Sequence, residues 1–146
     1  MKALIIYKSY HHGNTRKVAE TMADTLNAQL STPDGVDIKS LDEFDIIGFG
    51  SGIYNGTFHK EILEFIEKLP NMNKKAFVFY TCGYDRGFFQ GIKKTLSEKG
   101  FIVAGQFSCP GWDTFGLGKL FGGIKKGHPN EEDLKRAADF AKSLAQ

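Results

Sequence analysis

Ala3-Leu-Ile-Ile-Tyr7, then Ser9-Tyr-His-His-Gly-Asn-Thr15, then a helical pattern from Arg16 onward decide the fold of this 146-residue chain. The first run is continuously apolar, as a strand covered on both faces of a parallel sheet must be. Val18, Met22 and Leu26, with Ala19 and Ala23 beside them, share one face and predict a helix from about Asn14 to Leu30. Between them, Ser9, Asn14 and Thr15 carry polar side chains around Gly13. Glycine lets the backbone curl so that successive N–H groups point into one concavity, and the helix dipole adds a positive end. No Gly-x-Gly-x-x-Gly and no Gly-Lys-Ser/Thr follows this strand. The dinucleotide fingerprint and the triphosphate loop are thereby excluded, and a hydroxyl-rich loop suits a terminal monophosphate. As plain structure the segment is a strand-to-helix connection capped by Asn14, yet one cap needs only one such side chain.

Outward from this unit, apolar runs and helical patterns alternate. Thr32-Pro-Asp-Gly35 is turn chemistry, and Val36-Asp-Ile38 reads as a short edge strand. Asp45–Gly50 is a third strand; Ile62, Phe65, Ile66 and Leu69 place a helix at about His59–Leu69, stopped by Pro70. Ala76–Tyr80 is a fourth strand, and Phe88, Phe89, Ile92 and Leu96 mark a helix closed by Gly100. Phe101–Ser108 is a fifth strand, and Asn130 caps a last helix with Glu131, Glu132 and Asp133 in its first turn. This rhythm predicts one α/β domain over residues 1–146, a doubly wound five-stranded parallel sheet of order 2-1-3-4-5 in three α/β/α layers. In that order the loops after strands 1 and 3, Ser9–Thr15 and Ser51–His59, flank the point where the winding reverses.

Composition bounds the function. Hydrophobic residues at 41% and charged residues at 25% belong to a packed globular chain. A formal charge of +2 is too small to argue for nucleic acid, and no stretch approaches a membrane span. The expected address is the cytoplasm, with Cys82 and Cys109 as reduced thiols. The four histidines share no metal-ligand spacing.

The loop Ser9–Thr15, the loop Gly50-Ser-Gly-Ile-Tyr-Asn-Gly-Thr57, the loop Thr81-Cys-Gly-Tyr-Asp85 and the Gly127-His-Pro-Asn130 lead-in to an acidic helix start together resemble the short-chain flavodoxin family, over essentially the whole chain. The resemblance implies flavin mononucleotide (FMN) as cofactor. Its phosphate would sit on Ser9, Tyr10, His11, His12, Gly13, Asn14 and Thr15. Its isoalloxazine ring would lie between Gly52, Ile53, Tyr54, Asn55, Gly56 and the third loop, Thr81, Cys82, Gly83, Tyr84, Asp85. Tyr54 and Tyr84 would stack on opposite ring faces. Family members use a peptide at the Asn55-Gly56 place that turns over when flavin N5 gains a proton. Asp85 would add negative charge that resists the anionic reduced flavin. Each has a plain structural counterpart: Tyr54 folded over a neighbouring helix, Asn55-Gly56 as an ordinary turn, Asp85 as a helix cap, Cys82 as strand-end packing. Trp112 and Phe115, in the Gly-rich segment 111–127, either shield the flavin, form a partner patch or pack beneath the loop.

The implied function is one-electron transfer between redox partner proteins, a reductase and an electron acceptor, by a monomer or weak dimer with no catalytic side chain and no metal. Flavodoxins that stand in for ferredoxin are typically acidic, whereas this chain is slightly basic. The alternative is an FMN-dependent reductase or oxidase acting on a quinone or porphyrinogen, since Gly50–Lys60 also resembles the flavodoxin-type protoporphyrinogen oxidase. A flavin-free receiver-like domain ranks last, because the strand ends lack clustered carboxylates.

Overall fold

A computed structural model describes residues 1–9, 13–111 and 127–146. The strands are β1 (Ala3–Lys8), β2 (Gln29–Ser31), β3 (Ile46–Tyr54), β4 (Thr57–Phe58), β5 (Lys74–Cys82) and β6 (Phe101–Pro110). The helices are α1 (Asn14–Leu26), α2 (Lys60–Glu67), α3 (Phe89–Glu98) and α4 (Glu131–Leu144). Five strands run parallel in the order β2-β1-β3-β5-β6, and β4 pairs antiparallel with the end of β3. This is the doubly wound, three-layer arrangement expected from the alternation, with one short strand added.

Side chains that alternate along the central strands feed two cores. On one face Ile47, Phe49, Val78 and Tyr80 meet Ile62, Phe65 and Ile66 of α2 and Ile92 and Leu96 of α3. On the other, Ile5, Ile46, Phe77 and Phe79 meet Val18, Ala19 and Met22 of α1 and Ala137 and Ala141 of α4. Gly48 and Gly50 lie on this second face because the Phe77 and Phe79 rings occupy the volume where their Cβ atoms would stand. Cys82 packs against the first core and Cys109 lies in the second, so the two thiols sit on opposite faces of the sheet.

Several boundaries differ from the sequence expectation. Helix α1 stops at Leu26, where Asn27 turns left-handed at φ 52°, and the chain then pairs Gln29–Ser31 with β1. The edge strand therefore precedes the Thr32–Gly35 turn. Val36 and Ile38 are not strand; they belong to a connection with two 3-10 turns, Pro33–Gly35 and Ile38–Glu43, and pack against the first core from there. Strand β3 runs four residues past Gly50 to Tyr54, β5 spans Lys74–Cys82, and β6 reaches Pro110. Helix α2 is shorter than His59–Leu69, with His59 as its N-cap and Lys68 as its C-cap. Among the described residues, no helix is long and apolar enough to cross a membrane.

Candidate functional site

The carboxyl ends of β1, β3 and β5 bring the three singled-out loops to one end of the sheet. Lys8 lies opposite Ser51 in register, and Gly52 opposite Thr81. Gly13 is the N-cap of α1 in the left-handed region, φ 65°, and offers no side-chain cap; the first turn holds no acidic residue. Asn14 is thus the first helical residue and not the cap. By contrast, α4 opens on a full capping box, with Asn130 accepting from the Asp133 amide and three acids in the first turn. The start of α1 therefore lacks both the side-chain cap and the acidic first turn that α4 has.

Thr15 is buried at 1% exposure, and its hydroxyl meets that of Thr81, itself 3% exposed, at 2.9 Å. This bond joins the first loop to the third across β3. The Ser9 hydroxyl accepts from the Arg16 amide at 3.3 Å, while the Arg16 guanidinium turns to Glu20 at 2.8 Å. Gly111, whose amide donates to the Cys82 carbonyl at 3.0 Å, closes against the Asn14 side chain: a Cβ on Gly111 would lie 2.7 Å from Asn14 Nδ2. Ser9, Gly13, Asn14, Thr15, Thr81, Cys82 and Gly111 therefore converge. Tyr10, His11 and His12, and likewise Trp112 and Phe115, lie outside the described residues.

The second loop is mostly strand and hairpin. Gly52, Ile53 and Tyr54 finish β3, and Tyr54 pairs with Thr57 across a two-residue turn. Asn55 (φ 51°) and Gly56 (φ 81°) are both left-handed, the geometry of a type I′ turn, for which Asn-Gly is the favoured pair. Ile53 packs into the first core. The Tyr54 hydroxyl folds back over Gly52, 3.0 Å from where a Cβ would stand, and the ring meets His59 edge-on at 5.2 Å. A cavity of about 380 Å³, lined by Tyr54, Asn55, Thr57, Phe58, His59, Lys60 and Leu63, opens beside it.

In the third loop Gly83 is buried and Tyr84 is 61% exposed. The Asp85 carboxylate accepts from Tyr80 Oη, the Gly87 amide and Ser108 Oγ, each at 3.0 Å. Partial burial works against its ionisation, but these donors outweigh that and hold it below the ordinary carboxylate range. Burial, reinforced by the Asp85 charge, pushes the Tyr80 phenol up to about 12. Asp85 thus ties the β5 end to β6 and closes the turn at Gly87; it is not the helix cap of the plain structural reading, since the N-cap of α3 is Phe88, which has no side-chain cap bond. The sequence reading missed Tyr80 and Ser108 as its partners, and it missed Thr81 as the partner of Thr15. It also missed the clasp at α4, where Asp133, 4% exposed, takes His128 Nδ1 at 2.6 Å and Arg136 at 2.8 Å.

Comparisons with known proteins agree with the fold. The chain is 50% identical over 147 residues to an uncharacterized protein of Methanocaldococcus jannaschii, covering 99% of this chain and 98% of that one. A flavodoxin from the domain Archaea superposes with a TM-score of 0.74 at 18% identity, covering 100% of both chains. Flavodoxin 2 from Bacillus cereus does so with a TM-score of 0.73 at 21% identity, over 99% of this chain and 98% of that one. The profile of the flavodoxin domain matches residues 4–109, and with that match the chain belongs to the flavodoxin family.

Proposed function

We propose that this protein binds FMN and carries electrons one at a time between larger redox proteins. The observation that supports it most is the start of α1: a buried hydroxyl pair, Thr15–Thr81 at 2.9 Å, beside a helix end with no acid in its first turn. Hydroxyls, an amide side chain and helix-end N–H groups, with no carboxylate among them, are a donor set for a phosphate dianion. In this reading Ser9, Asn14, Thr15 and the Gly13–Thr15 backbone take the phosphate, with Tyr10, His11 and His12 completing the loop.

The ring rests between the Gly52–Gly56 hairpin and Thr81–Asp85, with Tyr54 on one side and Tyr84 on the other. When bound, FMN supplies the single-electron chemistry that no side chain here provides. The protein's share is to orient the ring, exclude water and place hydrogen-bonding backbone at its edge. Gly56, open around its Cβ position and at φ 81°, leaves the Asn55–Gly56 peptide room to reorient toward the ring. Asp85, held ionised by its three donors, keeps a negative charge at the third loop.

The test is the visible spectrum of freshly purified protein, with and without added FMN, followed by titration of the apoprotein with FMN and riboflavin. A yellow protein that prefers FMN supports the reading. A colourless protein with no calorimetric heat at micromolar FMN refutes it. Bleaching of the bound flavin by NAD(P)H, with no reductase added, would instead favour an enzyme acting on a small substrate such as a quinone.

A further inference from the structure

His59 stands at a corner where three elements meet. Its backbone N–H donates at 2.9 Å to Ser51 Oγ, a fully buried hydroxyl on β3 that itself donates to the Gly52 carbonyl. Its ring nitrogen Nδ1 accepts from the Glu61 amide at 3.0 Å, capping α2. Accepting at Nδ1 requires that nitrogen to be bare, so the neutral ring carries its proton on Nε2. The same ring meets Tyr54 edge-on, with planes at 87°. One imidazole therefore links the helix start, the end of β3 and the aromatic side chain of the hairpin.

Protonation would attack this arrangement twice. It places a proton on Nδ1, facing the amide that now donates to it, and it puts a cation at the positive end of α2. The charged groups around the ring are Lys8 of β1, paired with Glu61 at 3.1 Å, and Lys60, Glu61 and Glu64 of α2. Burial, with Lys8 and Lys60 reinforcing it against Glu61 and Glu64, holds the imidazole below its ordinary titration range. The cavity of about 380 Å³ that both rings line gives them space to move into once the cap is lost.

We propose that His59 is a positioning residue for the flavin: as a neutral N-cap it holds the Tyr54 ring over Gly52, and its protonation releases Tyr54 and weakens the contact with the isoalloxazine. This rests on the flavin-binding reading above. Riboflavin is the probe for the ring contact, because it carries no phosphate to titrate. As pH falls from 8 through the lowered His59 titration, the wild type loses riboflavin affinity about fivefold, the size of one weakened aromatic contact. His59→Asn, which keeps a side-chain cap without an ionisable ring, gives a profile flatter by that factor while retaining the fold.

The second measurement needs no flavin: a pH titration of the apoprotein by NMR, in which the Tyr54 ring signals and the Glu61 amide move with the His59 midpoint. Equal pH slopes for wild type and His59→Asn, or Tyr54 signals indifferent to His59, overturn the proposal. Failure of both proteins to bind either flavin at any pH overturns the functional reading instead, and the apoprotein titration still decides whether His59 governs Tyr54.

Discussion

Replacing Thr81 by valine keeps the shape of the side chain and deletes one hydroxyl of the pair that joins the first and third loops. Thr15, 1% exposed, then keeps its own hydroxyl in a buried place with that partner removed. A buried donor stripped of its partner costs about 1–3 kcal/mol, and Thr15→Val should cost a similar amount for the mirror-image reason. Removing both hydroxyls leaves nothing orphaned, so the double variant should lie within about 1 kcal/mol of wild type. The sum of the single losses, about 2–6 kcal/mol, minus at most about 1 kcal/mol for the double is then a coupling of about 1–6 kcal/mol. With a urea slope of about 2 kcal/mol/M, each single variant shifts the unfolding midpoint down by about 0.5–1.5 M and the double by much less. The assay is equilibrium urea unfolding of the apoprotein, followed by circular dichroism. Ligand titrations separate the two roles of Thr15. If its hydroxyl also reaches the phosphate, Thr15→Val weakens FMN by about tenfold or more, from a charge-assisted bond of about 1.5–3 kcal/mol, and riboflavin far less. Strictly additive single losses would refute the hydroxyl pair, and equal losses for the two flavins would remove Thr15 from the phosphate site.

Gly50→Ala should be among the most damaging small substitutions in the sheet, because the added methyl falls inside the fully buried Phe79 ring; about 1–3 kcal/mol or more is expected by urea unfolding, and Phe79→Leu in the same chain should restore part of it. Gly56→Val places a β-branched residue at φ 81°, so it should loosen the hairpin and lower flavin affinity while leaving the Thr15–Thr81 coupling unchanged, as the same double-variant cycle in that background would reveal. Asp133 is held below the ordinary carboxylate range: burial opposes ionisation, but Asn130, His128 and Arg136 outweigh it. A depressed folded-state pKa gives stability that is complete above the unfolded value, about pH 4, and is lost as pH falls through the lower folded value. Asp133→Asn should therefore be less stable at pH 7, by about 1.5–3 kcal/mol from the lost charged hydrogen bonds, and its stability should fall less steeply than wild type below pH 4. An unchanged acid slope would remove Asp133 from that role.

The architecture was legible because the central strands are buried on both faces and so are written as unbroken apolar runs, while the helices carry a 3.6-residue stripe. The misreadings lie where a local pattern was overridden at a distance. Leu26 and Leu30 are spaced as helix neighbours, yet Asn27 turns left-handed and the chain straightens to pair with β1, leaving Leu30 exposed. Residues 50–57 read as a Gly-rich loop, but Gly48, Gly50 and Gly52 alternate because they share one face of β3. The matching signal, Phe77-x-Phe79, lies in another strand. Asn55-Gly56 with Tyr54 and Thr57 on its flanks was a readable hairpin signal, and only the pairing of those flanks was missed. For Asp85, nothing local announces that Tyr80 and Ser108 converge on it.

The glycines of β3 connect the packing of the core to the placement of the site. Thr15 lies in the first turn of α1, which follows β1, whereas Thr81 is the last residue but one of β5, and β3 lies between those two strands. Their hydroxyls meet at 2.9 Å, so α1 starts above the sheet face that carries Phe77, Phe79 and Thr81. On that face β3 presents glycines where α1 begins. Gly52 is the β3 residue opposite Thr81, and among the described residues the folded-back Tyr54 phenol comes nearest the position above it. Two residues earlier along the same face, Gly50 yields its volume to Phe79, and two before that Gly48 yields to Phe77. The same alternation thus lets aromatic rings of β5 fill the core at one end and lets a hydroxyl of α1 reach β5 at the other. A side chain at position 52 would press on the Tyr54 hydroxyl, 3.0 Å from the added Cβ, so the small-residue stripe of β3 carries on from the aromatic core to the folded-back ring of the hairpin.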